Sequence, residues 1–294
     1  MRVLLTMLLL SGMNAIAQPY RLMTYNIRYD NPQDGDDRWS LRGKGLIGLI
    51  RKSDPDALGL QEVLASQLSD ISKEMKGYES IGVGRDDGAQ AGEYAPLFIR
   101  TKRFAIRSSG WFWLSDTPDE PGKGWDAACN RISTWAIVKD KSAKRDLLII
   151  NTHLDHVGKV ARTKSVEQLL SFIREKSDTY LEETAKEDQG GMAVILMGDF
   201  NFSPIDPSYK SLKESIQVLR DPLVDAHEAT ANPPVGPEAT YNAFDLEKSP
   251  TERIDYIWTA GLEIRSYRSL EEKLETGRWP SDHLPVLVEA EPTE

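Results

Sequence analysis

The chain has 294 residues, 40% of them hydrophobic, enough for one large domain with a substantial core. Its formal net charge of −10 disfavours tight, sequence-independent binding to a long polyanion, which works through counterion release from Lys and Arg. A small anionic substrate held by a few arginines and a metal remains compatible with that balance.

Residues 1–17 read as a secretory signal peptide: Arg2 gives a positive start, Val3 to Leu10 is almost wholly apolar, and Ala15-Ile16-Ala17 is a small-x-small cleavage site. The apolar run is too short to span a bilayer, and no longer one follows, so stable membrane insertion is not expected. Removing this segment, which carries Arg2 and no acid, takes the charge from −10 to −11. The single cysteine, Cys129, lies far from the cleavage point, which leaves no lipid-attachment cysteine there and no disulfide within the chain. Export without disulfides fits a bacterial periplasm or exterior. Cys129 itself reads as a packed small residue rather than a nucleophile. Residues 18–294 then form one domain, expected to be a monomer.

Tyr20 to Ile27 alternates as a strand and ends in T-Y-N-I-R. Asp30 to Asp37 is a polar segment without the ordered ligands and closing Glu of a calcium loop, and reads as a solvated turn. Leu41 to Ser53 has helix spacing, Asp56 to Leu60 is a short buried strand delivering Gln61 and Glu62, and Leu64 to Lys76 is helical. Tyr94 to Arg100 and Phe104 to Leu114 read as strands. Ser115 to Arg131 is a Pro/Gly/Asp loop, and four of the seven tryptophans lie between Trp111 and Trp135, an aromatic cluster of the core-forming kind. Ile132 to Val138 and Asp146 to Ile150 pair as strands, the second leading into N-T-H-L-D-H. Val160 to Ser177 is an amphipathic helix with Val166, Leu169, Leu170 and Ile173 on one side, and Asp178 to Gly191 a charged connection.

Val194 to Pro204, V-I-L-M-G-D-F-N-F-S-P, is the stretch around which the rest is organised. An apolar run breaks at Gly198 and presents Asp199 and Asn201, two apart and so on one side of an extended backbone, with Phe200 turned inward. Asp206 to Leu219 is partly helical, Ala229 to Thr240 is a Pro-containing loop, and Ile254 to Trp258 is a strand start carrying Asp255. W-P-S-D-H-L-P-V brings Asp282 and His283 just before a final strand. Many short strands with interspersed helices, and no linker, indicate an α+β sandwich of two packed sheets with helices outside.

The polar groups that follow apolar runs are Asn26, Glu62, His153, Asp199, Asn201, Asp255, Asp282 and His283. Metal-assisted phosphoester hydrolysis needs such parts: a carboxylate for a hard cation such as Mg²⁺, a base to orient water, and an imidazole to donate to a phosphate oxygen. The single cysteine and the absence of H-E-x-x-H argue against zinc spacing, and there is neither a G-x-S-x-G elbow nor a P-loop.

The series T-Y-N-I-R, L-Q-E-V, N-T-H-L-D-H, G-D-F-N, R-I-D-Y-I and S-D-H-L-P-V, in that order from about Tyr20 to Val288, resembles the endonuclease/exonuclease/phosphatase superfamily, the deoxyribonuclease I-like group. The resemblance implies a four-layer α/β/β/α sandwich of two mixed sheets and hydrolysis of phosphodiesters or phosphomonoesters with Mg²⁺, or Mn²⁺ in its place. Carried over, Glu62 is the principal metal ligand with Asn26 beside it and Asp282 near. His153 binds the scissile phosphate, Asp199 activates water, Asn201 holds a phosphate oxygen, and His283 pairs with Asp255. Arg28 departs from the AP-endonuclease branch, where an acid stands two positions after the first Asn, and so argues against DNA repair. Arg28, Arg131, Asp155 and Arg162 are further candidates for substrate contact, since Arg forks match phosphate oxygens. The stretches E-Y-A-P-L-F-I-R and W-D-A-A-C-N-R-I-S-T-W-A also resemble an exported bacterial subgroup of the family. The leading expectation is an exported phosphoesterase acting on a small anionic phosphoester. An extracellular nuclease on DNA or RNA is the alternative within the enzyme reading, and a non-catalytic binding protein on the same fold the alternative outside it.

Overall fold

Runs such as Leu147–Ile150 and Val194–Met197 are apolar on both faces and need protein on both sides. The computed structural model, which describes residues 18–143, 145–184, 192–215 and 221–293, supplies it. The expected signal peptide lies outside the described residues. In chain order the elements are β1 (Tyr20–Asn26), α1 (Trp39–Ser53), β2 (Ala57–Gln61), α2 (Ala65–Glu74), β3 (Tyr78–Ile81), β4 (Leu97–Arg100), β5 (Phe104–Trp113) and β6 (Ile132–Asp140). There follow β7 (Asp146–His153), α3 (Lys159–Thr184), β8 (Ala193–Asp199), α4 (Pro207–Lys213), β9 (Val224–Asp225), α5 (Ala226–Ala229), β10 (Asp255–Ala260), β11 (Leu262–Ser269) and β12 (Val286–Pro292).

One sheet runs β11-β12-β1-β2-β4-β3 and the other β5-β6-β7-β8-β10-β9. Each is mixed and has one parallel pair, β1 with β2 and β7 with β8. The inner faces meet in a core that includes Leu22, Ile99, Val138, Ile149, Ile195, Ile257 and Val288. The outer face of the first sheet is covered by α1 and α2 through Leu46, Ile50 and Ile71, and that of the second by α3 and α4 through Val166, Leu169, Ile173 and Leu212. The architecture is the four-layer sandwich of two mixed sheets.

The sequence reading needs correction in places. α3 does not stop at Ser177 but continues to Thr184, because Tyr180, seven residues after Ile173, stays on the apolar face and its phenol donates to Asp146 Oδ2 at 3.0 Å. The rest of the expected charged connection, residues 185–191, lies outside the described residues. Pro32–Asp37 is a 3-10 turn capped by Asn31, and it is anchored rather than merely solvated, since Asp34 takes a fork from Arg28 and Asp37 one from Arg278. The tryptophans form no single cluster: Trp113 is buried beside Ala95 and Ile132, Trp135 packs at a tilt against Phe172, and Trp111 is exposed.

Candidate active site

Parallel pairing puts two strand ends side by side in each sheet. In the first, Asn26 is in register with Gln61, so Glu62 follows immediately beside it. In the second, His153 is in register with Asp199, and Asp199 with Asp255 across the antiparallel neighbour. Packing brings these ends face to face, and the Asn26 amide joins them: its Nδ2 donates to Glu62 Oε1 at 3.0 Å and to Asp199 Oδ2 at 2.9 Å. Ser281 Oγ donates to the Asn26 carbonyl at 2.7 Å and so draws in Asp282 and His283, which precede β12. Residues far apart in sequence thus converge on one cleft at the strand ends.

Three residues beside these ends hold left-handed backbone that non-glycine side chains rarely adopt: Arg28 (φ 57°), Glu62 (φ 61°) and Asn201 (φ 51°). Such strain persists where surrounding contacts over-determine it. Here the Glu62 carboxylate accepts from Tyr29 N at 3.1 Å, and Asp199 Oδ1 accepts from Asn201 N at 2.9 Å. Gly198 (φ 150°) is required for another reason, since a Cβ there would collide with the Thr152 carbonyl of the parallel neighbour.

The side of the cleft from the first sheet carries oxygen donors. Asp282 is pushed towards its neutral form by burial and, among nearby charges, by Glu62, against the cationic His283, Arg28 and Arg42. Arg28 Nε stands 3.9 Å from Asp282 Oδ2 but is forked to Asp34. Glu62 and Asp282 therefore offer crowded carboxylate oxygens, the donor chemistry that suits a hard divalent cation, while Asn26 turns Nδ2 to Glu62 and its Oδ1 accepts from Arg28 N at 3.0 Å. Asp199, Asp255 and His283 also bring one ligand atom each within 4.8 Å of one another and could hold an ion, although Asp255 Oδ2 and His283 Nδ1 already engage each other at 2.8 Å.

The imidazoles differ in charge preference. Burial opposes a charge on His283, but Asp255 and then Asp199 and Asp282 outweigh it, and the ring favours its cationic form. His153 is driven well towards the neutral form by burial and by the charges of Arg131 and Arg85. Between them, Asp199 Oδ2 is 3.5 Å from His153 Nε2 and 3.8 Å from His283 Nε2. Burial and the charge of Asp255 push its carboxyl up, making it a stronger base than a carboxylate in water.

Asn201 uses one amide hydrogen on the Leu154 carbonyl at 3.0 Å, which ties the β7 and β8 ends together. Arg131 is buried, forms no hydrogen bond to His153 among the described residues, and acts on that ring through its charge. Asp155, expected as a substrate contact, is instead 1% exposed, and its oxygens are taken by Ala128 N, Val157 N and Gly158 N at 2.7–3.1 Å and by Arg131 Nε at 3.4 Å. It braces the loop. Arg162, expected in the same role, donates to the Asp155 carbonyl at 2.9 Å from α3 and supports that brace.

Sequence reasoning missed several participants. Gln61 Nε2 donates to Thr24 Oγ1 at 3.0 Å and Asn151 Oδ1 at 2.6 Å, while Asn151 Nδ2 donates to the Leu60 and Pro96 carbonyls at 2.7 and 3.0 Å. This is a polar floor between the sheets directly under the cleft. Gln61 and Asn151 sit inside L-Q-E-V and N-T-H-L-D-H, so their motifs were in view. The Tyr241 ring packs edge-on to His283 at 5.1 Å, and Arg85 forks to Glu93 at 2.6 and 2.9 Å; neither had a local signal.

A family model described as the endonuclease/exonuclease/phosphatase family matches residues 23–283. The chain belongs to that family. It is similar, at 34% identity and TM-score 0.80, to the structure of a mannosyl-6-phosphatase of Bacteroides thetaiotaomicron, covering 92% of this chain and 99% of that one. It is also similar, at 35% identity and TM-score 0.79, to a family structure from Bacteroides vulgatus, covering 94% and 99%. Among curated proteins it resembles a probable RNA exonuclease of Saccharomyces cerevisiae at 24% identity over 222 residues, spanning 69% of this chain and 41% of that protein's length. That family is a superfamily of hydrolases, phosphatases and nucleases among them. Among the described residues no helix is long and apolar enough to cross a membrane.

Proposed function

We propose that the chain is an exported, Mg²⁺-dependent phosphoesterase that hydrolyses a small anionic phosphoester by attack of an activated water. The observation that carries this reading is the Asn26 amide holding Glu62 and Asp199 at 3.0 and 2.9 Å, which places an oxygen-donor set and a base across one short gap. Asn26, Glu62 and Asp282 would hold the ion, and Mn²⁺ can occupy such a set too. Bound there, the ion neutralises charge on the phosphate and on the departing oxygen.

The remaining roles belong to this chain's own groups. Asp199 accepts the proton of the attacking water, its basicity raised by burial. His283, held by Asp255, keeps Asp199 oriented and supplies positive charge beside it. Neutral His153 donates one hydrogen bond to a non-bridging oxygen. Similarity to a mannosyl-6-phosphatase and the charge of −10 favour a small substrate such as a sugar phosphate. A nuclease acting on RNA or DNA is the second reading, favoured by the resemblance to the yeast exonuclease. Export rests on residues 1–17 alone.

The test is release of phosphate from a panel of sugar phosphates, phospholipid headgroups and oligonucleotides, with Mg²⁺ and with a chelator. The reading expects metal-dependent turnover of a small phosphoester and loss of it in Glu62→Gln. Activity that persists in the chelator, or no activity on the panel, would refute it.

A further inference from the structure

Of the three arginines that the sequence offers as substrate contacts, the fold leaves Arg28 open at the cleft. Arg131 and Arg162 are 4% and 7% exposed, and both are engaged in the Asp155 brace. The Arg28 side chain is 25% exposed, with Nε 3.9 Å from Asp282 Oδ2. Its setting is built from several sides. The Asp34 carboxylate accepts from Nε and Nη2 at 3.1 and 3.0 Å, and Asn31 Nδ2 steadies Asp34 Oδ1 at 3.1 Å. The Arg28 carbonyl accepts from Arg42 Nη2 at 2.7 Å and Gln67 Nε2 at 3.0 Å, while its N–H donates to Asn26 Oδ1 at 3.0 Å. These bonds hold the left-handed backbone (φ 57°). Nη1 has no acceptor among the described residues and is not sealed from solvent.

We propose that Arg28 is the residue that receives the phosphoryl group of the substrate, donating from its guanidinium to an unesterified phosphate oxygen, with Asp34 as its positioning residue. The inference rests on the phosphoesterase reading above and names the contact that this reading requires for its anion. Charge argues for it. Glu62 and Asp282 repel an arriving phosphate, and a guanidinium, which does not deprotonate, sets one permanent positive group beside them. Preorganisation argues the same way. A free arginine gives up its rotamer freedom on meeting an anion, whereas one already forked to Asp34 has little left to lose. Asp34 also balances part of the charge, so the rim offers one directed donor group rather than the broad positive groove that tracks several backbone phosphates. That suits a small anion.

Calorimetry on the full chain separates this contact from a purely structural role, because the two ligands should respond differently. Removing a cation 3.9 Å from Asp282 should leave Mg²⁺ binding to Arg28→Gln as tight as in the parent, or tighter. Inorganic phosphate, titrated with Mg²⁺ present, should bind that variant about tenfold or more weaker, the scale of a lost charge-assisted hydrogen bond. An arginine that only braced the turn would, when replaced, weaken both. Asp34→Asn, which loosens the fork but keeps the guanidinium, should weaken phosphate about threefold or more and leave Mg²⁺ binding no weaker. Should Arg28→Gln fail to melt cooperatively, Arg28→Lys keeps the charge, lacks the planar donors, and should show the same pattern at about threefold or more. Unchanged phosphate affinity in the Arg28 variant, a parallel loss of Mg²⁺ and phosphate binding, or no phosphate binding by the parent would overturn the proposal. Failure of the parent to hydrolyse any ester would sink the phosphoesterase reading, while the phosphate titration still decides the contact.

Discussion

The two banks of the cleft are built alike and equipped differently. Each is a parallel pair of strands at the middle of a mixed sheet, ending at the same level. The bank from β1, β2 and the segment before β12 presents the carboxylates of Glu62 and Asp282, with the Asn26 amide hydrogens turned to Glu62 and across to Asp199. The bank from β7, β8 and β10 presents His153, Asp199 and Asp255, and His283, from the segment before β12, reaches across to Asp255 at 2.8 Å. On the reading proposed above, the difference divides the work, with the cation on one side and the water-activating carboxylate on the other. Asn26 is the joint, since its single amide touches both banks.

Asp199→Asn attacks the point where the banks meet. It should lower kcat by about 10²–10⁴-fold, the range of a lost general base, while thermal unfolding stays near that of the parent; a loss under tenfold would break the division of roles. Glu62→Gln attacks the oxygen bank and should cost about 100-fold or more in activity, with Mg²⁺ affinity by calorimetry falling in parallel. Unchanged affinity would move the cation seat elsewhere. Gly198→Ala attacks the geometry that levels the two strand ends. A methyl group driven into the Thr152 carbonyl should destabilise the fold by about 3 kcal/mol or more, read from denaturant melts.

A smaller effect sharpens the histidine bank. Burial opposes the Asp155 charge, but the backbone N–H groups of Gly158, Ala128 and Val157 outweigh it and hold the carboxyl at about 2, below its usual 3.8. A depressed carboxyl stabilises the folded state above its unfolded pKa, and that contribution fades as pH falls through the folded value. Asp155→Asn should therefore cost about 1.5–3 kcal/mol near neutral pH. The gap from the parent should close between about pH 4 and pH 2. A gap independent of pH would show that shape, not charge, matters there.

Much of this was legible in the sequence because strand ends are local. An apolar run followed by Asp199, Glu62 or His153 announces where a chain leaves the core, and six such exits in order imply a shared rim. Two packed sheets with helices outside followed from the same pattern, and the four-layer order was what the family resemblance implied. What stayed hidden depends on neighbours remote in sequence. Gln61 and Asn151 meet only because two sheets pack inner face to inner face. Asp155 looked like a ligand in N-T-H-L-D-H, but local backbone donors capture its oxygens. Arg85 stands in a loop without periodicity, and its fork to Glu93 joins residues eight apart that no periodic pattern pairs. Tyr180 could have been placed by continuing the helix period one heptad further.

The account's central claim is that the oxygen bank, and not the histidine bank, seats the cation. Anomalous diffraction from a Mn²⁺-soaked crystal measures this directly. The account predicts one peak within coordinating distance of Glu62, Asn26 and Asp282; a peak confined to Asp199, Asp255 and His283 would contradict it.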